Sequence, residues 1–170
     1  MPELTNHFSS GFFVTYIHDQ ILCMAVQIIP AGIEQLDTIA ELFNQYRIWY
    51  HQKPDLEGAR SFLEERISNG ESKMFLAVHD GVPAGFVHLY PIFTSVGMRR
   101  AWLLNDLFVN EAHRGAGIAT MLLEKAKELG RDNHSKWLLL QTDQTNAQAR
   151  QLYHKNGWEV VPDMFFQFTL

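Results

Sequence analysis

A chain of 170 residues can fill one well-packed domain but falls short of two comfortable ones. Apolar residues make up 46% and charged residues 19%, a globular composition rather than a disordered one. The formal net charge of −5 argues against a dedicated nucleic-acid binder, which carries a basic footprint, and the single cysteine, Cys23, rules out an intramolecular disulfide and reads as a cytosolic chain. The 8 histidines include no His-x-x-x-His pair and no Cys/His cluster, so no metal site is expected. No apolar run reaches the roughly 18 residues of a membrane span, so no membrane association is expected either.

The first residues, MPELTNHFSSGFFVTYIHDQILC, lack the basic start and small-residue cleavage site of a signal peptide. They fit poorly with MAVQIIPAG, which begins at Met24 like a natural first strand, and residues 1–23 are expected to be an appended segment before a domain at 24–170. AVQIIPA (25–31) predicts a strand ended by Pro30. Leu36, Ile39, Ala40, Phe43 and Tyr46 recur at helical spacing, and Pro54 closes the aromatic, polar stretch RIWYHQKPD. Leu56, Ala59, Phe62, Leu63 and Ile67 predict a second helix, stopped at Asn69-Gly70. Strands at 73–80 and 84–93 flank a turn at Gly81-Val82-Pro83. RRAWLLNDLFV (99–109) predicts a long central strand. A helix comes next from Ile118 to about Arg131, then a buried strand at 136–143 and a helix within 146–158 closed by Gly157. WEVVP (158–162) and MFFQFTL (164–170) read as terminal strands. The strand, crossover helix and strand at 99–143 imply a parallel pair, whereas the earlier strands run as hairpins, so one domain of mixed α/β (α+β) class is expected.

Between the central strand and its helix lies Arg114-Gly115-Ala116-Gly117. Backbone N–H groups at 114–119 would point outward at a helix N-terminus, with the positive end of the helix dipole behind them. Glycines let the backbone curl and let an anion approach closely. An ordinary glycine turn fits the same residues. A Walker loop does not, because no lysine follows the glycines. A dinucleotide fingerprint lacks its third small position, where Thr120 stands, and only about fifty residues remain for the rest of that fold. Asp143 in the place of a ribose-binding acid keeps nucleotide binding as a further reading.

Arg114-x-x-Gly117-x-Ala119 resembles the Arg/Gln-x-x-Gly-x-Gly/Ala signature of the GNAT superfamily of acyl-CoA-dependent N-acyltransferases. Leu104-Asn105-Asp106-Leu107-Phe108-Val109 resembles the strand before it. Asn146-x-x-Ala149-x-x-Leu152-Tyr153-x-Lys155-x-Gly157-Trp158 resembles the second cofactor-binding element. The resemblance implies a mostly antiparallel sheet with a parallel pair at the cofactor site and helices on both faces. It implies acetyl-CoA as the acyl donor. The pantetheine arm would lie along Leu107, Phe108 and Val109, and the pyrophosphate on Arg114, Gly115, Ala116, Gly117, Ile118 and Ala119. Asn146 would touch the cofactor, and Tyr153 would stand near the thioester sulfur as catalytic acid.

Asn146 and Tyr153 are two helical turns apart and so share a face. A phenol within hydrogen-bond reach can protonate a departing thiolate. An alkyl amine is mostly protonated at neutral pH, so a base is also wanted. Polyamine-acetylating members of the family carry a glutamate where Asn105 stands here, and an amide cannot take a proton. Asp106 is the nearest carboxylate, but strand alternation puts it on the opposite sheet face from Asn105 unless a bulge intervenes. Glu71 and a water chain are the alternatives. Tyr46, Trp49, Tyr50, Tyr90 and Asn105, with Glu71, are candidates to surround an acceptor amine, the aromatic rings suiting an ammonium group. Cys23 lies outside every motif, so direct transfer in a ternary complex is expected rather than an acyl-enzyme. The competing reading is a non-catalytic acyl-CoA-binding module, motivated by Asn105. The apolar terminus MFFQFTL points to a homodimer.

Overall fold

Alternating and continuous apolar strands build a single sheet in the computed structural model, which describes residues 26–163 and 166–169. The expectation for residues 1–23 lies outside these. The elements are β1 (Gln27–Ala31), α1 (Leu36–Trp49), α2 (Leu56–Ser68), β2 (Lys73–His79), β3 (Val82–Thr94), β4 (Arg99–Val109), α3 (Ile118–Asp132), β5 (Leu138–Leu140) and α4 (Ala147–Lys155), with 3-10 turns at Ile33–Gln35 and Glu111–His113. The five strands lie in sequence order, antiparallel from β1 to β4, with β5 parallel to β4. This is the mixed, mostly antiparallel sheet expected from the motifs. No helix among the described residues is long and apolar enough to cross a membrane.

Each sheet face carries its own core. On one, Ile39, Leu42 and Phe43 of α1 and Leu63 of α2 pack on Phe86 and Phe108. On the other, Leu122, Leu123 and Ala126 of α3 pack on Val87, Trp102 and Leu104. β2 and β3 are therefore covered on both sides and read as near-continuous apolar runs.

Three local expectations are corrected. Pro30 does not end the first strand; it pairs with Phe75 inside β1, an edge strand, where a missing N–H costs no ladder bond. The β2–β3 turn is Asp80-Gly81, both with positive φ (53° and 77°), so Val82 and Pro83 belong to the strand. Residues 158–163 and 166–169 form no strand. Apart from the Trp158 N–H, which bonds to Tyr153 O, their backbone has no backbone partner among the described residues, and Val160, Val161, Phe166 and Phe168 are exposed. Strand propensity marks a surface that suits a sheet; it does not supply the neighbour. Residues 164, 165 and 170 of that expectation lie outside the described residues.

Candidate active site

The site begins where two parallel strands part. β4 and β5 pair only from Trp102–Leu138 to Leu104–Leu140. β4 continues to Val109, while β5 ends, opening a cavity of about 530 Å³ between them. At the parting point the β3–β4 register passes from Leu89–Leu104 to His88–Asp106, which leaves Asn105 without a partner on β3. This is a β-bulge, and it reverses the facing of the strand. Leu104 points to the α3 core, whereas Phe108 points to the α1–α2 core. Asn105 lines the cavity, and Asp106 is turned inward.

The loop after β4 is tied down at each end. Asn110 Oδ1 accepts from the Ala112 N–H at 3.0 Å, and Asn110 Nδ2 donates to Gln45 Oε1 at 2.8 Å. Arg114 Nε donates to the Val109 carbonyl at 3.2 Å, so this arginine shapes the loop while also bordering the cavity. Gly115 and Gly117 have φ of 84° and 77°, conformations that favour glycine, and a Cβ at either would meet nothing within 4 Å. Gly117 is the N-cap of α3 and offers no side chain to its first turn. The first-turn N–H groups of the helix stay available to an anion at the cavity mouth. Gly115, Gly117, Ile118 and Ala119 line the cavity, as do Leu107, Phe108 and Val109; Ala116 does not.

The opposite wall is α4. Asn146 is its N-cap, with Oδ1 accepting from the Ala149 N–H at 3.1 Å. At the far end, Trp158 N–H reaches Tyr153 O and Gly157 N–H reaches His154 O, both at 3.0 Å, with Gly157 at φ 76°. This is a Schellman closure, and its apolar contact is Trp158 against Tyr153, ring centroids 6.3 Å apart. The Leu-Tyr-x-Lys-x-Gly-Trp pattern therefore fixes the tyrosine ring. Asn146 and Tyr153 both line the cavity.

Tyr46, Trp49 and Tyr50, on the last turn of α1 and just beyond it, form the third wall. Tyr50 stands edge-on to Tyr46 at 4.9 Å and to Trp49 at 4.7 Å. Burial, and then the neighbouring Tyr50, push the Tyr153 phenol above its ordinary pKa. Burial pushes Tyr46 far higher, with the facing Asp106 and Tyr50 adding to it. Both phenols therefore hold their protons at neutral pH.

Three candidates lie off the cavity lining. Asp106 is 5% exposed; its Oδ2 is 3.1 Å from His88 Nδ1, and its Oδ1 accepts from Asn105 Nδ2 at 3.1 Å. Tyr90 packs on the His88 ring at 4.5 Å, and burial, then Asp106, push its phenol up to about 12. Glu71 is held by Arg66 Nε at 2.5 Å and by Asn69 Nδ2 at 3.3 Å. The sequence pattern gives no sign of His88, which only the strand register places opposite Asp106. Nor does it single out His113, Gln141, Thr142, Gln148 and Gln151, which also stand on the cavity wall. His113 Nδ1 meets His79 Nδ1 at 3.2 Å.

Residues 36–158 match the Acetyltransferase (GNAT) family. The chain belongs to the GNAT acetyltransferase family. A Bacillus subtilis relative, YhfO, described as an uncharacterized N-acetyltransferase, is 48% identical over 121 residues, covering 71% of this chain and 81% of that one. A probable acetyltransferase of Haemophilus influenzae is 33% identical over 137 residues, covering 79% of this chain and 92% of that one. The crystal structure of a probable acetyltransferase superposes with a TM-score of 0.78 at 36% identity, covering 85% of this chain and 96% of that one. This GNAT protein is accordingly an acyltransferase, and its open strand pair and glycine loop lie within the matched span.

Proposed function

We propose that this GNAT protein transfers an acetyl group from acetyl-CoA to a primary amine of a small molecule or peptide, by direct attack with both substrates bound in the one cavity. One observation carries the reading. The uncapped N-terminus of α3, the unpaired end of β4 and the Tyr153 phenol converge on the same space, with an aromatic wall opposite. These residues fit the donor. Gly115 and Gly117 leave room for a pyrophosphate on the first-turn N–H groups, and Arg114 and Lys155 add positive charge at the cavity wall. The backbone of Leu107 to Val109, without a β5 partner, offers strand-like hydrogen bonds to an amide-bearing arm.

Acetyl-CoA supplies an activated acyl carbon and a thiolate leaving group. Tyr46, Trp49 and Tyr50 hold the acceptor nitrogen over that carbon. Asp106, behind the cavity lining and bonded to cavity-lining Asn105, takes the proton that frees the amine lone pair by way of a water chain. As the new C–N bond forms and the C–S bond breaks, Tyr153 gives its hydroxyl proton to the sulfur and recovers one from the acylated nitrogen. Asn146 orients the donor from the start of α4.

The test is a CoA-release screen over polyamines, amino acids, aminoglycosides and peptide N-termini, together with thermal stabilisation by acetyl-CoA. Saturable release with one amine class and a raised Tm support the reading. No stabilisation at millimolar acetyl-CoA removes it. The exposed apolar residues near the C-terminus and the edge of β5, unpaired among the described residues, also favour a homodimer, which light scattering after gel filtration would check.

A further inference from the structure

The ionic make-up of the cavity wall is one-sided. Besides the phenols, its titratable side chains are Arg114, Lys155 and His113, and none of the described residues on it is Asp or Glu. A chain with a net charge of −5 thus presents a cavity whose described wall has no acid. The two carboxylates that are site candidates are spent elsewhere. Asp106 lies behind the lining, 5% exposed, between His88 Nδ1 and Asn105 Nδ2. Glu71 lies off the lining, held by Arg66 and Asn69. The stretch that bears the aromatic wall follows the same pattern. Residues 46–53, YRIWYHQK, include Arg47 and Lys53 and no acid. The next acid, Asp55, caps α2 by accepting from the Gly58 N–H at 2.8 Å.

Trp49 and Tyr50 are about half exposed although both are large and aromatic, and both line the cavity. Their edge-on packing leaves ring faces free to stack on a flat ligand. An ammonium leaving water needs a counter-charge or several acceptors. One ammonium finds a ring face and the Asn105 carbonyl oxygen, Nδ2 of that amide being committed to Asp106. It also sheds its proton before attack, so its charge is transient. A second ammonium finds no carboxylate on the described wall and meets the repulsion of Arg114 and Lys155. Resting on the acyltransferase reading, we propose that the acceptor is a primary monoamine with a flat apolar body stacked on Trp49 and Tyr50, and that the acid-free wall excludes polycations.

The test reads CoA release by the intact enzyme at saturating acetyl-CoA with three acceptors. Hexylamine and hexamethylenediamine share a chain and differ by a second ammonium. Phenethylamine and hexylamine each carry one ammonium and differ by the ring. From hexylamine, kcat/KM should fall about 10-fold or more for the diamine and rise about 10-fold or more for phenethylamine. Trp49→Leu keeps an apolar side chain at a half-exposed position, so Tm should change little. Its preference for phenethylamine over hexylamine should shrink to about 2-fold, through KM more than kcat. A diamine used as well as hexylamine overturns the charge exclusion. No preference for the ring, or one that survives Trp49→Leu, overturns the stacking. Acetyl-CoA binding without release on any of the three overturns the acceptor class and leaves donor binding standing. Absence of acetyl-CoA binding overturns both.

Discussion

Tyr153 shows how backbone closure fixes one side chain at a cavity wall. Its ring is held against Trp158 by the Schellman turn, and the residue lines the cavity. Tyr153→Phe keeps the pinned ring and removes only the proton. Turnover should fall by about 10-fold or more while the acetyl-CoA Kd stays close to wild type. Steady-state kinetics with direct calorimetry of cofactor binding checks both halves, and unchanged turnover takes Tyr153 out of the chemistry. The spacing to Asn146 gave only a shared helix face; Tyr153 became a catalytic candidate through the family resemblance of the motif around it. Asp106 was legible only as one of a pair. Which of Asn105 and Asp106 enters the cavity depends on a bulge, and the bulge depends on how β4 registers against His88 and Leu89. That is a pairing between distant residues, which no local pattern reports.

At the level of elements, the proposed function gives Asn146 two uses, a structural cap for α4 and a contact to the acyl donor. The two uses can be separated. Asn146→Asp keeps an acceptor oxygen for the Ala149 N–H, so Tm should hold, whereas loss of the amide N–H should weaken acetyl-CoA binding. Asn146→Ala should lower both, with a stability cost of about 1 kcal/mol. If Asn146→Asp binds like wild type, the residue is a cap and nothing more. Gly117→Ala forces a Cβ onto a φ of 77° with open space around it, so its cost is backbone strain of about 1–2 kcal/mol rather than a clash. Because relieving that strain re-aims the first-turn N–H groups, acetyl-CoA affinity should drop as well as Tm, read by thermal melts with and without ligand. Helices α1 to α3 were legible because their apolar spacing answers to the core they bury. β5 was not bounded correctly. Its sequence is strand-like from 136 to 143, but pairing stops at Leu140, where β4 bulges away. The strand expected at 158–162, and the described part (166–169) of the one expected at 164–170, are missing for the same cause, a partner that composition cannot supply.

Across the whole molecule, the two cores grip the sheet from opposite sides; Tyr46 and Tyr153 line the cavity, and Tyr90 lies off its lining. All three are pushed upward, with burial as the leading cause. A raised pKa in the folded state means that folding disfavours the phenolate. Below the unfolded tyrosine value of about 10, both states keep the proton and stability is complete. Above it the unfolded chain ionises freely while the folded chain resists. Stability should therefore fall as pH rises from about 10 through the folded value of Tyr90 at about 12. Tyr90→Phe cannot ionise, so its melting temperature should decline less steeply over that window than the wild type's. It should still decline, since Tyr46 and Tyr153 act in the same direction. Melting curves collected from about pH 8 to about pH 12 at constant ionic strength decide the matter, and parallel slopes for the two proteins would mean that Tyr90 is not held neutral by the fold.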